Sequence, residues 1–137
     1  MALNIKADGL QEQLNYMLQK YTIENYFVFD MSIPDTIGYL RAEMNVFTRQ
    51  SEFEKIPAFF DQAKGIWLDA FINEWFDEKV ISGHVESGKQ VCIVSPELHR
   101  REHRRFWESL RGMNVLRSGR VMLCTDFPVE ARAFFYE

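Results

Sequence analysis

The stretch Val91-Cys92-Ile93-Val94-Ser95-Pro96-Glu97-Leu98-His99 turns from a purely apolar run to a hydroxyl, a carboxylate and an imidazole. These are groups that donate, accept or carry protons near neutral pH. The arrangement recurs along the chain. LNIKADG brings Lys6 and Asp8 to the end of its run, and FVFD ends in Asp30. NVFT leads into Arg49 and Glu52, GIWLD ends in Asp69, and MLCTDFP ends in Thr125 and Asp126. A lysine closing an otherwise buried run calls for an anionic ligand or a carboxylate partner. The planar fork of an arginine suits a phosphate or a carboxylate. Lys6, Asp30, Arg49, Asp69, Glu97 and Asp126 are therefore the candidate substrate-binding residues, and the cations among them could hold a phosphate or a carboxylate.

Each candidate also has a purely structural reading. Lys6 could pair with Asp30 or Asp8, and Arg49 with Glu52 or Glu54. Asp69 could cap the segment after it or position another polar group. In SPELH, Ser95 suits a helix N-cap, Pro96 a first helical position, and Glu97 the positive end of a helix. His84 falls late in an amphipathic pattern, where a surface or capping role is expected. The run HRREHRR, residues 99–105, reads as an exposed helix face rather than a nucleic-acid patch, because Glu97, Glu102 and Glu108 break its field. Phe106, Trp107 and Leu110 have core spacing. FDMSIPDT superficially resembles the aspartate motif of haloacid-dehalogenase-like phosphatases, but Ser32 stands where the second aspartate belongs.

The elements that must carry these groups follow from the pattern. Six short apolar runs, near residues 2–6, 26–30, 44–48, 65–69, 91–94 and 120–125, alternate with helical spacings. Those spacings cover LQEQLNYMLQKY, PDTIGYLRA, about Asn73 to Glu86, about Glu97 to Arg111, and VEARAFFY. Strands alternating with helices predict an α/β fold of parallel βα units. About six units in a single domain over residues 1–137 fit either a doubly wound sheet or part of a barrel. In both, the carboxyl ends of the strands make the functional face.

Composition bounds the rest. The chain has 137 residues, 47% of them hydrophobic, with twelve Phe and three Trp, which is enough for a sizeable core. A net charge of −4 argues against nucleic acid as the main partner. No apolar run reaches the length of a membrane span, and the N-terminus lacks a signal-peptide pattern. Cys92 and Cys124 lack CxxC spacing and read as buried, reduced thiols. The expected location is cytoplasmic. Walker, GxGxxG and GxSxG motifs and a close His/Cys metal pattern are all absent from the sequence.

Taken together, LNIKADG, FVFDMS, NVFTRQSEFE, GIWLD, VCIVSPEL and LCTDFP resemble the barrels of glycerophosphodiester phosphodiesterases and phosphatidylinositol phospholipase C. LNIK resembles the phosphodiesterase strand bearing Leu-Glu-Ile-Lys, and CTDFP resembles the last strand, usually Thr-Asp-Tyr/Phe-Pro. The resemblance implies a TIM barrel lacking its first strands, with residue 1 near the third of eight. It carries over Lys6, and less directly Thr125 and Asp126, as site positions. A complete family enzyme uses a divalent metal, but Asn4 stands where the family has a ligating Glu. The family's catalytic histidines, in a His-Arg motif and a later His of the first strands, have no counterpart here. The resemblance therefore implies an incomplete barrel or fragment, with little or no activity alone and a residual phosphate-ester-binding rim. The competing expectation is a non-catalytic binding or assembly module that self-associates through open strand edges, and a homo-oligomer is expected in either case.

Overall fold

The computed structural model describes residues 1–136. Its strands are β1 (Ala2–Asn4), β2 (Phe27–Phe29), β3 (Phe47–Gln50), β4 (Gly65–Leu68), β5 (Gln90–Val94) and β6 (Val121–Cys124). Every ladder is parallel. β1 pairs with β2, and β3-β4-β5-β6 form a second sheet in chain order. The two sheets are linked by a single parallel bridge between Val28 and Val46, where the Val28 amide donates to the Asn45 carbonyl at 2.8 Å. The expectation of parallel strands in sequential order is met.

The helices are α1 (Gln11–Lys20), α2 (Ile33–Arg41), α3 (Glu78–Glu86), α4 (Arg104–Arg111) and α5 (Pro128–Tyr136). Strand alternation sends Val28, Val46, Ile66, Leu68, Val91 and Ile93 to the helix-covered side, all of them fully buried. There Val28 and Val46 pack with Leu18 of α1 and Tyr39 of α2. Ile66, Leu68, Val91 and Ile93 pack with Ile81 of α3 and Leu110 of α4. The other side of the sheet is lined by Phe27, Phe29, Phe47, Trp67, Cys92 and Val94. Phe27 stacks on Phe47 with centroids 3.9 Å apart, and Phe29 stacks on Trp67 at 3.8 Å. These pairs tie β2 to β3 and β4 where the backbone ladder is thinnest, each adding about 0.5–1.5 kcal/mol beyond its burial. Gly65 makes the first stack possible, because a Cβ there would lie 2.4 Å from the Phe47 ring and 2.7 Å from the Gln90 carbonyl oxygen.

Two helices differ from expectation. The pattern over Asn73 to Glu86 is helical only from Glu78, because the Asp77 carboxylate caps it on the Val80 amide. Residues 71–77 instead form a loop. Its Trp75 indole donates to the Asp69 carbonyl at 2.7 Å, while Phe76 enters the core. The expected helix from Glu97 to Arg111 is broken. A 3₁₀ turn at Pro96–His99 ends at Arg100 in the left-handed region (φ 58°). The Arg101 guanidinium then reaches back to the Ala70 carbonyl and Glu74, both at 2.5 Å, and Glu102 receives the amides of Arg104 and Arg105 at the start of α4. Residues 100–103 are thus a cross-linked loop, and of the run 99–105 only Arg104 and Arg105 lie on an exposed helix face. His84 is not at the surface either. It is buried, its Nε2 is 2.6 Å from the Gln50 Oε1, and burial pushes its imidazole below the usual pKa.

Candidate functional site: the rim at the strand carboxyl ends

The alternation that fills the aromatic face also aims the rim. Asn4 and Lys6 continue the side of β1 opposite Leu3 and Ile5, which pack toward the helices. Arg49 follows Phe47, and Asp69 follows Trp67, on the aromatic side. Asp30 would follow Val28 toward the helices, but its backbone is left-handed (φ 72°), a conformation Asp tolerates better than most residues. This turn brings its carboxylate between two cations. Lys6 Nζ is 3.5 Å from one oxygen and Arg49 Nη1 is 3.0 Å from the other.

Arg49 also donates through Nε to Glu54. Partial burial works against its charge. The hydrogen bond and charge of Glu54, with the charges of Asp30 and Asp69 behind them, outweigh that and hold the guanidinium more firmly protonated than a free arginine. The Arg49 side chain is 35% exposed and that of Lys6 is 75% exposed. A cleft of about 460 Å³, lined by Asp30, Ser32, Thr36, Arg49, Glu54 and Ile56 among others, opens beside them. The Ser32 hydroxyl caps α2 on the Asp35 amide and donates to Asp8, which fixes the floor of the cleft.

The next part of the rim is more enclosed. The Asp69 side chain, 6% exposed, accepts from the Ala70 amide and faces His99 Nε2 at 2.6 Å. Glu52 braces the same loop by accepting the amides of Phe71 and Ile72 at 3.1 and 2.7 Å. Burial alone would raise the Glu52 pKa, but these backbone donors pull it below the usual carboxylate range. Phe71 lies between Arg49 and the imidazole, with Arg49 Cζ 5.7 Å from its ring centroid and the His99 ring 4.8 Å away.

Glu97 does something else. It accepts from the Ser95 hydroxyl at 2.5 Å, from the Thr125 hydroxyl, and from the Asp126 amide at 3.2 Å, so it brackets the ends of β5 and β6. Burial would raise its pKa, but the Ser95 and Thr125 hydroxyls lead a set of donors that leave it lowered. Ser95 makes no cap hydrogen bond to the 3₁₀ turn that follows it. It receives the Trp107 indole N–H at 2.8 Å instead. Asp126 is exposed and joins the bracket only through its backbone.

The structure thus brings Lys6, Asp30, Arg49 and Asp69 along one edge and sets Glu97 and Asp126 at its far end. Of the partners foreseen, Asp30 pairs with Lys6 and Glu54 with Arg49, while Asp8 and Glu52 take other donors; the Arg49–Asp30 pair was not foreseen. The pairing of His99 with Asp69, and Phe71 between them and Arg49, had no signal in the sequence: thirty residues separate His99 from Asp69, and Phe71 read as the approach to a helix. Cys92 and Cys124 are free, and burial, with the charge of Cys124 behind it, pushes the Cys92 thiol up to about 12. Among the described residues there is no group of three His, Cys, Asp or Glu arranged to hold a metal ion, and no helix is long and apolar enough to cross a membrane. No protein-family model, no curated protein and no solved structure matches the chain.

Proposed function

We propose that this rim binds a phosphate ester, and that the chain is the corresponding portion of a phosphodiesterase-like (β/α) barrel. The observation that carries the reading is the convergence of Lys6 and Arg49 on Asp30 at the carboxyl ends of adjacent parallel strands. Two cations on one rim, one of them mostly exposed, present donors that a phosphoryl group can take up. The sequential parallel order and the polar residues at the strand ends support the same reading.

The charge balance sets its strength. Asp30, Glu54 and Asp69 act on Arg49, and Asp30 also pairs with Lys6, so a phosphate competes with carboxylates for Arg49. Binding is therefore weak, about millimolar (−4 kcal/mol), and falls with added salt. Without the family's two histidines, the proposed role is binding rather than turnover by the family's route. Titration calorimetry with glycerophosphodiesters and inositol phosphates tests this. A charged hydrogen bond to an anion is worth roughly 1.5–3 kcal/mol, so Lys6→Ala should weaken binding by about tenfold or more. Equal binding by the wild type and Lys6→Ala removes Lys6 from the site.

A second reading, self-association through open strand edges, has its own observation. All four residues of β6 are half-buried, although VMLC is as apolar as the fully buried β4. A groove of about 660 Å³ lies beside this unpaired edge, lined by Leu116, Val121, Leu123 and Phe135. An open apolar edge is a pairing template. Sedimentation equilibrium showing a stable monomer at micromolar concentration removes this reading and leaves the first untouched.

A further inference from the structure

The phosphate-ester reading leaves one rim group without a task, the His99 imidazole. A carboxylate only accepts hydrogen bonds, so the 2.6 Å contact means that His99 Nε2–H donates to Asp69 Oδ1. That fixes the tautomer and leaves Nδ1 as the basic nitrogen. Nδ1 has no hydrogen bond among the described residues, and the side chain is 22% exposed. Asp69 is itself immobilised, with Oδ1 on the Ala70 amide and its carbonyl on the Trp75 indole. The loop after it is clamped by Glu52 from one side and Arg101 from the other. A carboxylate-oriented imidazole on a braced rim, one aromatic ring away from an arginine, is an acid–base group set beside an anion site.

We propose that His99, oriented by Asp69, is the general base of this rim and activates water against a phosphate ester held by Arg49 and Lys6. The inference rests on the phosphate-ester reading. In the step, Nδ1 takes one proton from water as the water oxygen bonds to phosphorus. The bond from phosphorus to the leaving oxygen breaks, and its electron pair departs with that oxygen. An aryloxide leaves as the anion and the imidazolium then releases its proton to solvent, while an alkoxide takes that proton from the imidazolium. Asp69 touches no reacting atom and is a positioning residue. The charged groups around the imidazole are Asp69 at the end of β4, Arg49 beyond Phe71, and Glu97 on the same 3₁₀ turn.

The test uses the full chain with bis(p-nitrophenyl) phosphate, reading p-nitrophenolate release beside the calorimetric Kd. The wild type should turn over slowly, with kcat rising with pH. His99→Gln should lose about 100-fold or more in kcat, have a flat pH profile and bind with an unchanged Kd. Asp69→Asn should lower kcat and should not weaken binding, since it removes one of the carboxylates that compete for Arg49. Because Asp69 is buried, urea unfolding checks that this variant is folded, and His99→Gln decides the matter if it is not. Binding with turnover that is absent, or unchanged in His99→Gln, overturns the role of His99 and leaves the binding reading standing. No measurable binding of the diester by the wild type overturns both.

Discussion

Two lysines at opposite ends of the parallel strands show how differently this chain uses the same charge. Lys89, just before β5 at the amino ends, is buried. Its ammonium donates to the carbonyls of Ala63 at 2.8 Å and Asp61 at 3.3 Å, and it sits 4.8 Å from the Phe60 ring centroid. Lys6, at the carboxyl ends, is 75% exposed and touches only Asp30, at 3.5 Å. One lysine has its donors spent on the backbone, whereas the other keeps donors for something else. Arg120 repeats the first pattern, donating to the Gly88 carbonyl at 3.0 Å. In parallel (β/α) barrels stability gathers at the amino ends and function at the carboxyl ends; here the donors are spent on backbone carbonyls at the amino ends and left over at the carboxyl ends.

The comparison can be broken most sharply at the amino end. Gly65→Val puts a side chain where even a Cβ meets the Phe47 ring and the Gln90 carbonyl oxygen, and the latter cannot rotate away. Overpacking of this kind costs about 3 kcal/mol or more, read as a lowered urea midpoint. Lys89→Ala follows. It strands two carbonyls and should cost about 1.5–3 kcal/mol, by the same measurement, with no effect on phosphate-ester affinity.

Glu97 sharpens the comparison, because it lies at the carboxyl ends yet is bonded like an amino-end group. Glu97→Ala leaves the Ser95 and Thr125 hydroxyls and the Asp126 amide without their acceptor. The loss should be about 1–3 kcal/mol. Its folded pKa lies below the usual 4.5, so its contribution is complete above that pH and disappears as pH falls through the folded value. A plot of unfolding free energy against pH should therefore be flatter on the acid side in Glu97→Gln than in the wild type. The smallest expected effect is that of Lys6→Ala, within about 0.5 kcal/mol in stability, despite its effect on ligand affinity. A Lys6→Ala loss as large as that of Lys89→Ala would erase the distinction between the two ends.

The parts of this division that local rules encode were readable in the sequence. Apolar runs such as GIWLD and VCIV gave the strands, and the helical spacing of PDTIGYLRA gave α2, because strand burial and helical periodicity act over a few residues. The loop at 71–77 was missed because Ile72, Trp75 and Phe76 have helical spacing. What decides there is a hydrogen bond from Trp75 to Asp69 and the Asp77 cap. The break at Arg100 was missed because Arg101 prefers a carbonyl and a carboxylate on another loop to a place in a helix. The six rim candidates were legible as strand ends, and only the fold divides them by use: Lys6 and Arg49 meet at Asp30, Asp69 holds His99, Glu97 joins two strands, and Asp126 contributes its backbone. The burial of Lys89 left no trace in the sequence, since a lysine before a strand looks like any solvated charge.

The most direct test of the account is a two-dimensional amide NMR titration of the full chain with glycerophosphocholine. Shift changes should gather on Lys6, Asp8, Met31, Ser32, Arg49, Gln50 and Phe71, shrink with added salt, and weaken in Lys6→Ala, while Lys89, Gln90 and Arg120 stay still. Changes centred instead on the amino ends or on the groove beside β6, or no change at millimolar ligand, would contradict a phosphate-ester rim at the carboxyl ends of β1 to β4.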